Sequence, residues 1–209
     1  MKKQILSSKS KSLAVASVEE ILTAHGGLEL LVQQLLLLSR LDAGNYSTDV
    51  APIHLEQVLK SCWKRAFAIS EKKRHVIKWD VPQPFPECNA NQLLLEAILG
   101  NLFENAACYT PVEGKITIRI RQDKRGLRFS VINSNPGLVQ SDLKRLFQPF
   151  WRKTQAVPER NHAGIGLSLC KRIAEVFESE MEVALREEDV EFGFVLPRSK
   201  TDDSGQSFS

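Results

Sequence analysis

The sequence has little of several features that assign a protein to a class at once. Its four cysteines are scattered, with no C-x-x-C pair and no histidine at metal-ligand spacing. This excludes a disulfide scaffold and a structural zinc site and favours reduced thiols. No apolar run approaches the ~18 residues of a membrane-spanning helix, and the N-terminus lacks the apolar core of a signal peptide. We therefore expect a cytoplasmic location, with no membrane segment in this chain.

Charge of one sign is also scarce. The formal net charge is +3, from 28 basic and 25 acidic residues. This bias is too weak to indicate a protein that binds nucleic acid or an anionic membrane. What is present is globular composition, with 43% hydrophobic and 25% charged residues in 209. That length predicts one domain of ordinary size and an appendage.

Three regions can be distinguished along the chain. Residues 1–44 predict a helical arm, because leucine and valine recur there at three- and four-residue steps from Val18 to Leu41. Such an apolar stripe outside the main domain indicates packing against another helix, as in a homodimer. Residues 45–197 predict a compact domain, and residues 198–209 a polar tail.

The compact domain shows helices that alternate with hairpins. The predicted helices cover 55–69, 92–108 (capped by Asn89), a short stretch from Ser141 to Phe147, and about 167–177. The predicted strands are 76–80, 116–120, 127–131, 181–185 and 192–196, with a hairpin turn at 123–126. Because hairpins rather than single strands separate the helices, we expect an α+β two-layer sandwich. It has a mixed sheet backed by helices on one face and is preceded by the helical arm.

Two asparagines on the predicted helix 92–108 are the first chemical signal. Asn101 and Asn105 are four residues apart in LLLEAILGNLFENAACYTP, so both carboxamides lie on one face of an otherwise apolar helix. Burying two amides without partners would cost a few kcal/mol each. Something polar should therefore meet them, and neighbouring backbone groups are the simplest alternative.

Two glycine-containing segments are the second signal. Gly164 and Gly166 lie in a loop that runs directly into a helix, whose first N–H groups favour an anion. Asn133 ends a strand just before the turn at Pro136 and Gly137. Taken alone, each segment also fits an ordinary loop or turn.

The order of these signals is more specific than any one of them. NLFENAACYTP, NSNPGL, LFQPFWR and GIGLSL follow one another in the chain. They resemble the asparagine box, first glycine box, phenylalanine box and second glycine box of the ATP-binding catalytic domain of bacterial sensor histidine kinases, in the gyrase and heat-shock-chaperone ATPase superfamily. The resemblance covers about residues 52–197 and implies that ATPase fold. Upstream, LLLLSRLDAGN is similar to the end of the family's second dimerisation helix.

The resemblance implies ATP and Mg²⁺ as ligands. Asn105 would supply an oxygen to Mg²⁺. Asn101 occupies the position at which the superfamily's hydrolases have a glutamate base, and an amide cannot accept a proton from water at neutral pH. We expect Glu104 not to substitute for that base, because it should face elsewhere.

The resemblance also assigns the residues around the nucleotide. Asn133 would meet the adenine amino group, Gly137 would let the turn pass close to the base, and Tyr109 would pack near the nucleotide. The other expected contacts are Asn135, Leu138, Arg152, Lys153, Gly164, Ile165, Gly166 and Leu167. Residues 153–163 would form a lid hinged at the two glycines, with Arg152 or Lys153 neutralising phosphate charge. We expect Phe147, Phe150 and Trp151 to anchor the base of the lid in the core.

Four positions depart from the family's pattern. Asn133 replaces an aspartate, Asn135 a glycine, Cys108 a basic residue and Ser168 a third glycine. An asparagine accepts one hydrogen bond from adenine but lacks the charge-assisted component, worth about 1 kcal/mol. The sequence therefore predicts weaker nucleotide binding.

The family's phosphoacceptor is a histidine followed by an acidic residue and soon by proline. None of His25, His54, His75 and His162 has this context. The resemblance thus implies the phosphotransfer domain of a two-component sensor histidine kinase, the cytoplasmic part of a membrane-anchored sensor, acting in a phosphorelay with a response regulator. The acceptor histidine would belong to a dimerisation domain in a longer chain or a separate protein.

The alternative is a degenerate domain that binds a response regulator as a scaffold. A serine-phosphorylating anti-sigma regulator is disfavoured, because such proteins have glutamate at position 101.

Overall fold

The structure is a computed structural model that describes residues 27–47, 49–153 and 164–198. Helix α1 of the arm covers 27–42 of these residues. The start of the predicted arm with His25, nearly all of the predicted lid with His162, and the tail beyond residue 198 lie outside the described residues. The division into arm, domain and tail stays a prediction.

The five predicted strands and the three longer predicted helices occur in the predicted order, together with two short strands that were not predicted. They are β1 (Ala51–Pro52), α2 (Leu55–Lys72), β2 (Val76–Asp80), β3 (Asn89–Ala90), α3 (Gln92–Tyr109), β4 (Lys115–Asp123), β5 (Gly126–Ser134), α4 (Gly166–Val176), β6 (Glu182–Arg186) and β7 (Asp189–Pro197). A five-stranded sheet has the order β2-β4-β5-β7-β6, and β1 and β3 form a separate two-stranded ribbon. Within the large sheet β2 and β4 are parallel and the other neighbours are antiparallel. The predicted mixed sheet is confirmed.

Alternation along the strands separates a buried face of the sheet from an open one. In β4, Ile116, Ile118 and Ile120 are buried and share one hydrophobic core with residues of α2, α3 and α4. Arg119 and Arg121, which flank Ile120, project from the opposite face, where both form ion pairs with Asp80. The helices therefore cover one face of the sheet, and the predicted α+β two-layer sandwich is confirmed.

Two local predictions were wrong. Asn91, not Asn89, caps α3, and its side chain accepts a hydrogen bond from the Leu94 N–H at 3.1 Å. Asn89 cannot act as the cap because its backbone pairs with Pro52 in the β1–β3 ribbon. The predicted helix from Ser141 to Phe147 is a single 3₁₀ turn, Gln140–Asp142, followed by further turns. Successive bonds between residues three apart hold this segment, which is the geometry of turns rather than of an α-helix.

Helix α1 lies against its own domain. Leu41 is fully buried in the core, and Asp42 forms an ion pair with Arg172 of α4 at 3.0 Å. Four apolar side chains of the same helix remain exposed, Leu28, Val32, Leu35 and Leu36. One face of α1 is thus covered within the chain, and another is open. The predicted packing of the arm on a second copy would use the open face and stays a prediction. None of the described helices is long and apolar enough to cross a lipid bilayer.

Candidate functional site

Two adjoining cavities lie between α3, the turn after β5 and the start of α4. Cavity A has a volume of about 70 Å³ and is lined by Gln34, Asn101, Glu104, Asn105, Cys108, Tyr109, Leu146, Trp151, Gly164, Ile165, Gly166 and Leu167. Cavity B has a volume of about 310 Å³ and is lined by Asn105, Tyr109, Asn135, Gly137, Leu138, Leu146, Trp151, Arg152, Lys153, Leu167 and Phe192. Every predicted contact residue except Asn133 lines at least one of them.

The amide of Asn101 has polar partners on both of its ends. Its Oδ1 accepts a hydrogen bond from Gln34 Nε2 of α1 at 2.7 Å, and its Nδ2 donates to the Ala97 carbonyl at 2.8 Å. The expected backbone partner is therefore present, together with a side-chain partner from the arm. Asn105, one turn later in α3, is half-buried and lines both cavities.

Of the two glycines of the second glycine segment, Gly166 lies directly opposite Asn101. Gly164 has a left-handed φ of +73°, and its carbonyl accepts a hydrogen bond from the Phe150 N–H at 2.9 Å. A Cβ added to Gly166 would lie 2.7 Å from Asn101 Oδ1. Helix α4 begins at Gly166 without a side-chain cap, so its first backbone N–H groups are left at cavity A. Paired amides and an anion-favouring helix start thus face each other.

Asn133 lines neither cavity. Its side chain is only 1% exposed, and its Nδ2 donates to Thr110 Oγ1 and to the Ser134 carbonyl, both at 3.1 Å. Its Oδ1 is buried with no hydrogen-bond partner among the described residues. Asn133 shares the helix-facing side of β5 with Val131, because residues two apart in a strand point to the same face. The expected adenine contact stays a prediction.

The turn after β5 forms one side of cavity B. The Leu138 N–H donates to the Asn135 carbonyl at 3.1 Å, which closes the turn. Asn135 does not have a positive φ, so a side chain fits there without backbone strain. A Cβ added to Gly137 would meet only Asn135 Oδ1, at 3.8 Å. The space beside Gly137 is therefore part of cavity B.

Two basic residues line cavity B in different ways. Lys153 Nζ forms an ion pair with Asp142 Oδ2 at 2.5 Å. This contact, together with the Val139 N–H, holds the pKa of Asp142 below its usual value. Arg152 is half-buried, and its Nε has no hydrogen-bond partner among the described residues. Arg152 is thus the more available of the two cations for an anionic ligand.

The aromatic residues of LFQPFWR behave differently from one another. Phe147 packs against the core, with its ring 6.4 Å from that of Phe192 and nearly perpendicular to it. Trp151 is half-buried and lines both cavities, with the Arg145 guanidinium 5.5 Å from the centre of its ring. The prediction that Phe150 anchors the lid was wrong, because this side chain is 66% exposed. Its φ of +65° turns it away from the core.

The expectation that Glu104 faces elsewhere was also wrong. Glu104 lines cavity A beside Asn101, since residues three apart share a helix face, and it forms an ion pair with Arg65 of α2 at 3.3 Å. The guanidinium crosses α3 over Gly100, where an added Cβ would lie 1.9 Å from Arg65 Nη2. Gln34 and Arg65 were missed from the sequence. The available signals were a polar residue inside the leucine stripe and a glycine inside an apolar helix.

Comparisons with known proteins agree with this arrangement. A family model described as "Histidine kinase-, DNA gyrase B-, and HSP90-like ATPase" matches residues 90–206. The phosphate regulon sensor protein PhoR of Pseudomonas aeruginosa is 28% identical over 169 residues, which cover 80% of this chain and 38% of PhoR. Full-length ShkA in complex with AMPPNP superposes with a TM-score of 0.70 at 26% identity, covering 82% of this chain and 36% of ShkA.

A further solved complex, of histidine kinase ThkA with response regulator protein TrrA, superposes with a TM-score of 0.63 at 20% identity, covering 82% of this chain and 49% of that one. This chain therefore spans less than half of each of these three proteins. By the family match, the chain belongs to the histidine kinase-, DNA gyrase B- and HSP90-like ATPases, and its homologues in that family are sensor histidine kinases.

Proposed function

We propose that this chain is the ATP-binding and phosphotransferring part of a two-component sensor histidine kinase. It would move the γ-phosphoryl group of ATP to a histidine on a dimerisation domain, in a longer chain or a separate protein. The observation that supports this most directly is the approach of Gly166 to Asn101 beside Asn105, with cavity B adjoining. We place this activity in the cytoplasm, as the catalytic part of a membrane-anchored sensor.

The residues present fit a purine nucleotide. Cavity B has the volume of a small ligand pocket and combines apolar walls, such as Leu138 and Phe192, with polar groups on its rim. Asn133 Oδ1 is a buried acceptor without a donor among the described residues, and Asn135, two residues later, is part of this wall. An unpartnered carbonyl oxygen there suits the amino group of adenine, reached directly or through a water molecule.

The residues of cavity A fit the phosphates and Mg²⁺. Asn105 offers an amide oxygen of the kind that Mg²⁺ accepts, and the start of α4 offers N–H groups for phosphate oxygens. When bound, Mg²⁺ neutralises charge on the transferred group. Arg152, at the mouth of cavity B, would balance the remaining phosphate charge.

The absence of a carboxylate at position 101 favours transfer over hydrolysis. The Asn101 amide is hydrogen-bonded at both its oxygen and its nitrogen, so it holds its place but cannot remove a proton from water. The nearest carboxylate on this face, Glu104, is held in an ion pair with Arg65 at 3.3 Å, which fixes its position. A histidine brought by a partner domain would then be the nucleophile.

A response regulator is the expected downstream partner, and the scaffold hypothesis remains the second candidate. Specific observations favour the second candidate: Cys108 places no positive charge in cavity A, and Lys153 is engaged by Asp142 rather than free for phosphate. A domain that retained the fold but lost ATP turnover could still bind a response regulator.

One experiment separates the two candidates. The chain is incubated with labelled ATP, Mg²⁺ and a separately made dimerisation domain that contains its histidine. Kinase function predicts label transfer that is lost in Asn105→Ala and kept in Asn89→Ala, a matched asparagine in the β1–β3 ribbon. Absence of nucleotide binding at millimolar ATP would reject the kinase proposal and favour the scaffold.

A further inference from the structure

Gln34 is a residue of the arm that reaches the candidate nucleotide site. It lies in α1, far from α3 in sequence, yet it lines cavity A and donates to Asn101 Oδ1 at 2.7 Å. Its neighbour Gln33 is exposed, and among the described residues its side chain bonds within α1, to Glu29. The two side chains are chemically identical, and they differ in the residues that they contact.

The contact is supported by a second set of bonds near the end of α1. Arg172 of α4 forms an ion pair with Asp42 and donates to the Leu41 carbonyl at 3.2 Å, while the Leu41 side chain is fully buried. Leu30 and Leu37 line a further cavity with Ala97 of α3, one turn before and after Gln34. The side chain of Gln34 is thus held at cavity A by the docking of the whole helix.

Docked in this way, α1 restricts the end of the site that faces Asn101. Cavity A, with about 70 Å³, has room for a few water molecules. Cavity B is more than four times larger, with about 310 Å³. A terminal phosphate with its hydrated cation, placed beside Asn101 and Asn105, would have to share cavity A with the Gln34 side chain.

We propose that Gln34 is a specificity-determining residue of the nucleotide site, contributed by the arm. While α1 is docked, Gln34 narrows cavity A and disfavours ligands with a terminal phosphate, and ligands that end at the first phosphate are unaffected. Triphosphate binding and docking of α1 therefore oppose each other, and by linkage each weakens the other by the same factor. This inference rests on the proposed nucleotide binding.

The test compares two glutamine variants of the full chain. Affinities for AMP and for Mg²⁺ with a non-hydrolysable ATP analogue are measured by calorimetry for the wild-type chain, Gln34→Ala and the matched control Gln33→Ala. We expect Gln34→Ala to bind the triphosphate roughly three- to tenfold more tightly, with AMP affinity unchanged. Gln33→Ala should match the wild-type chain for both ligands.

A second pair of variants tests the docking of α1 at its C-terminal end, where Arg172 of α4 holds it. Arg172→Ala removes the ion pair with Asp42 and should raise triphosphate affinity as Gln34→Ala does, whereas Lys171→Ala, an exposed neighbour, should not. In reciprocal fashion, the ATP analogue should increase hydrogen exchange of the amides of residues 30–42, and AMP should not.

The results discriminate among the hypotheses. A triphosphate affinity that is unchanged or lowered in Gln34→Ala, or an equal change for AMP and triphosphate, overturns the role of Gln34. If the wild-type chain and all variants fail to bind either nucleotide at millimolar concentration, the proposed function itself fails, and the inference fails with it.

Discussion

Asn133 donates a hydrogen bond to Thr110, and this contact determines which end of its amide stays free. The Asn133 Nδ2 to Thr110 Oγ1 distance is 3.1 Å, and Thr110 is fully buried at the end of α3. With Nδ2 also engaged by the Ser134 carbonyl, the oxygen is the unpartnered atom. The Thr110 hydroxyl, at the end of α3, therefore orients Asn133 Oδ1, the oxygen that we expect to accept a hydrogen bond from adenine.

Thr110→Val tests this orientation. The change keeps the shape of the side chain and removes the acceptor of Asn133 Nδ2, so we expect the free energy of unfolding to fall by about 1–2 kcal/mol. Thr117→Val, an equally buried change in β4, should stay within about 0.5 kcal/mol because a strand accommodates valine. Urea denaturation measures both; equal losses in the two variants would contradict a special role for Thr110.

Asn133→Asp should lower the free energy of unfolding and raise the affinity for adenine nucleotides. The carboxylate can accept a bond from the Thr110 hydroxyl but cannot donate to the Ser134 carbonyl, 3.1 Å away, so we expect a loss of about 1–3 kcal/mol in unfolding free energy. A charge-assisted bond to an adenine amino group should raise adenine-nucleotide affinity by roughly fivefold. Denaturation with and without ATP measures both effects. Unchanged affinity would place Asn133 outside the nucleotide contact.

Gly166→Ala should disturb the site more than the fold. The added Cβ would lie 2.7 Å from Asn101 Oδ1 and would push the start of α4 and Asn101 apart at cavity A, where the phosphates are expected. We expect nucleotide binding to weaken at least fivefold and stability to fall by about 1 kcal/mol.

The matched control is Gly100→Ala, in the middle of α3. Its added Cβ meets the flexible end of Arg65, which can move, and alanine favours a helix interior by about 1 kcal/mol over glycine. Stability should therefore be kept or slightly raised. Equal binding losses in the two alanine variants would indicate a general effect on α3 rather than contact at Asn101.

His75 should make stability depend on pH near neutrality. Desolvation by burial is the main cause that lowers the pKa of His75, whose ring contacts Ser70 Oγ and the Thr110 carbonyl. Because the folded pKa lies below the unfolded value of about 6.5, the contribution is fully present above that pH and is lost as pH falls through the folded pKa.

The measurement is the unfolding free energy of the wild-type chain and of His75→Gln from pH 8 to pH 5. The difference between their curves should shift in favour of His75→Gln as the pH falls. His54→Gln, at an exposed position, controls for the loss of one titrating ring. Parallel curves for the wild-type chain and His75→Gln would contradict the prediction.

The sheet and its helices were predictable because their signals are local. Strict alternation in 116–120 and 127–131 identified the β4–β5 hairpin, and the four-residue spacing of Asn101 and Asn105 placed both on one face of α3. The sequence also identified the facing glycine segment, because it occurs in order after the other three motifs. These features depend on neighbours within a few residues.

The misses depend on contacts that join distant parts of the chain. The choice of Asn91 over Asn89 as the cap follows from the β1–β3 ribbon, and the position of Glu104 follows from Arg65, which crosses at Gly100. Gln34 reaches Asn101 across 67 residues of sequence. No periodicity indicates such partners, since tertiary packing decides them.

The parallel pairing of β2 with β4 has a consequence for the position of α3. Antiparallel neighbours can be joined by a tight turn, but parallel ones need a crossover, and here α3 lies in the crossover between Asp80 and Lys115. Asn101 and Asn105 are therefore carried on a crossover whose two ends join the pair of strands at one edge of the sheet. We therefore expect a substitution at Trp79, whose ring lies 6.2 Å from that of Phe103 in α3, to shift the helix that carries Asn101 and Asn105.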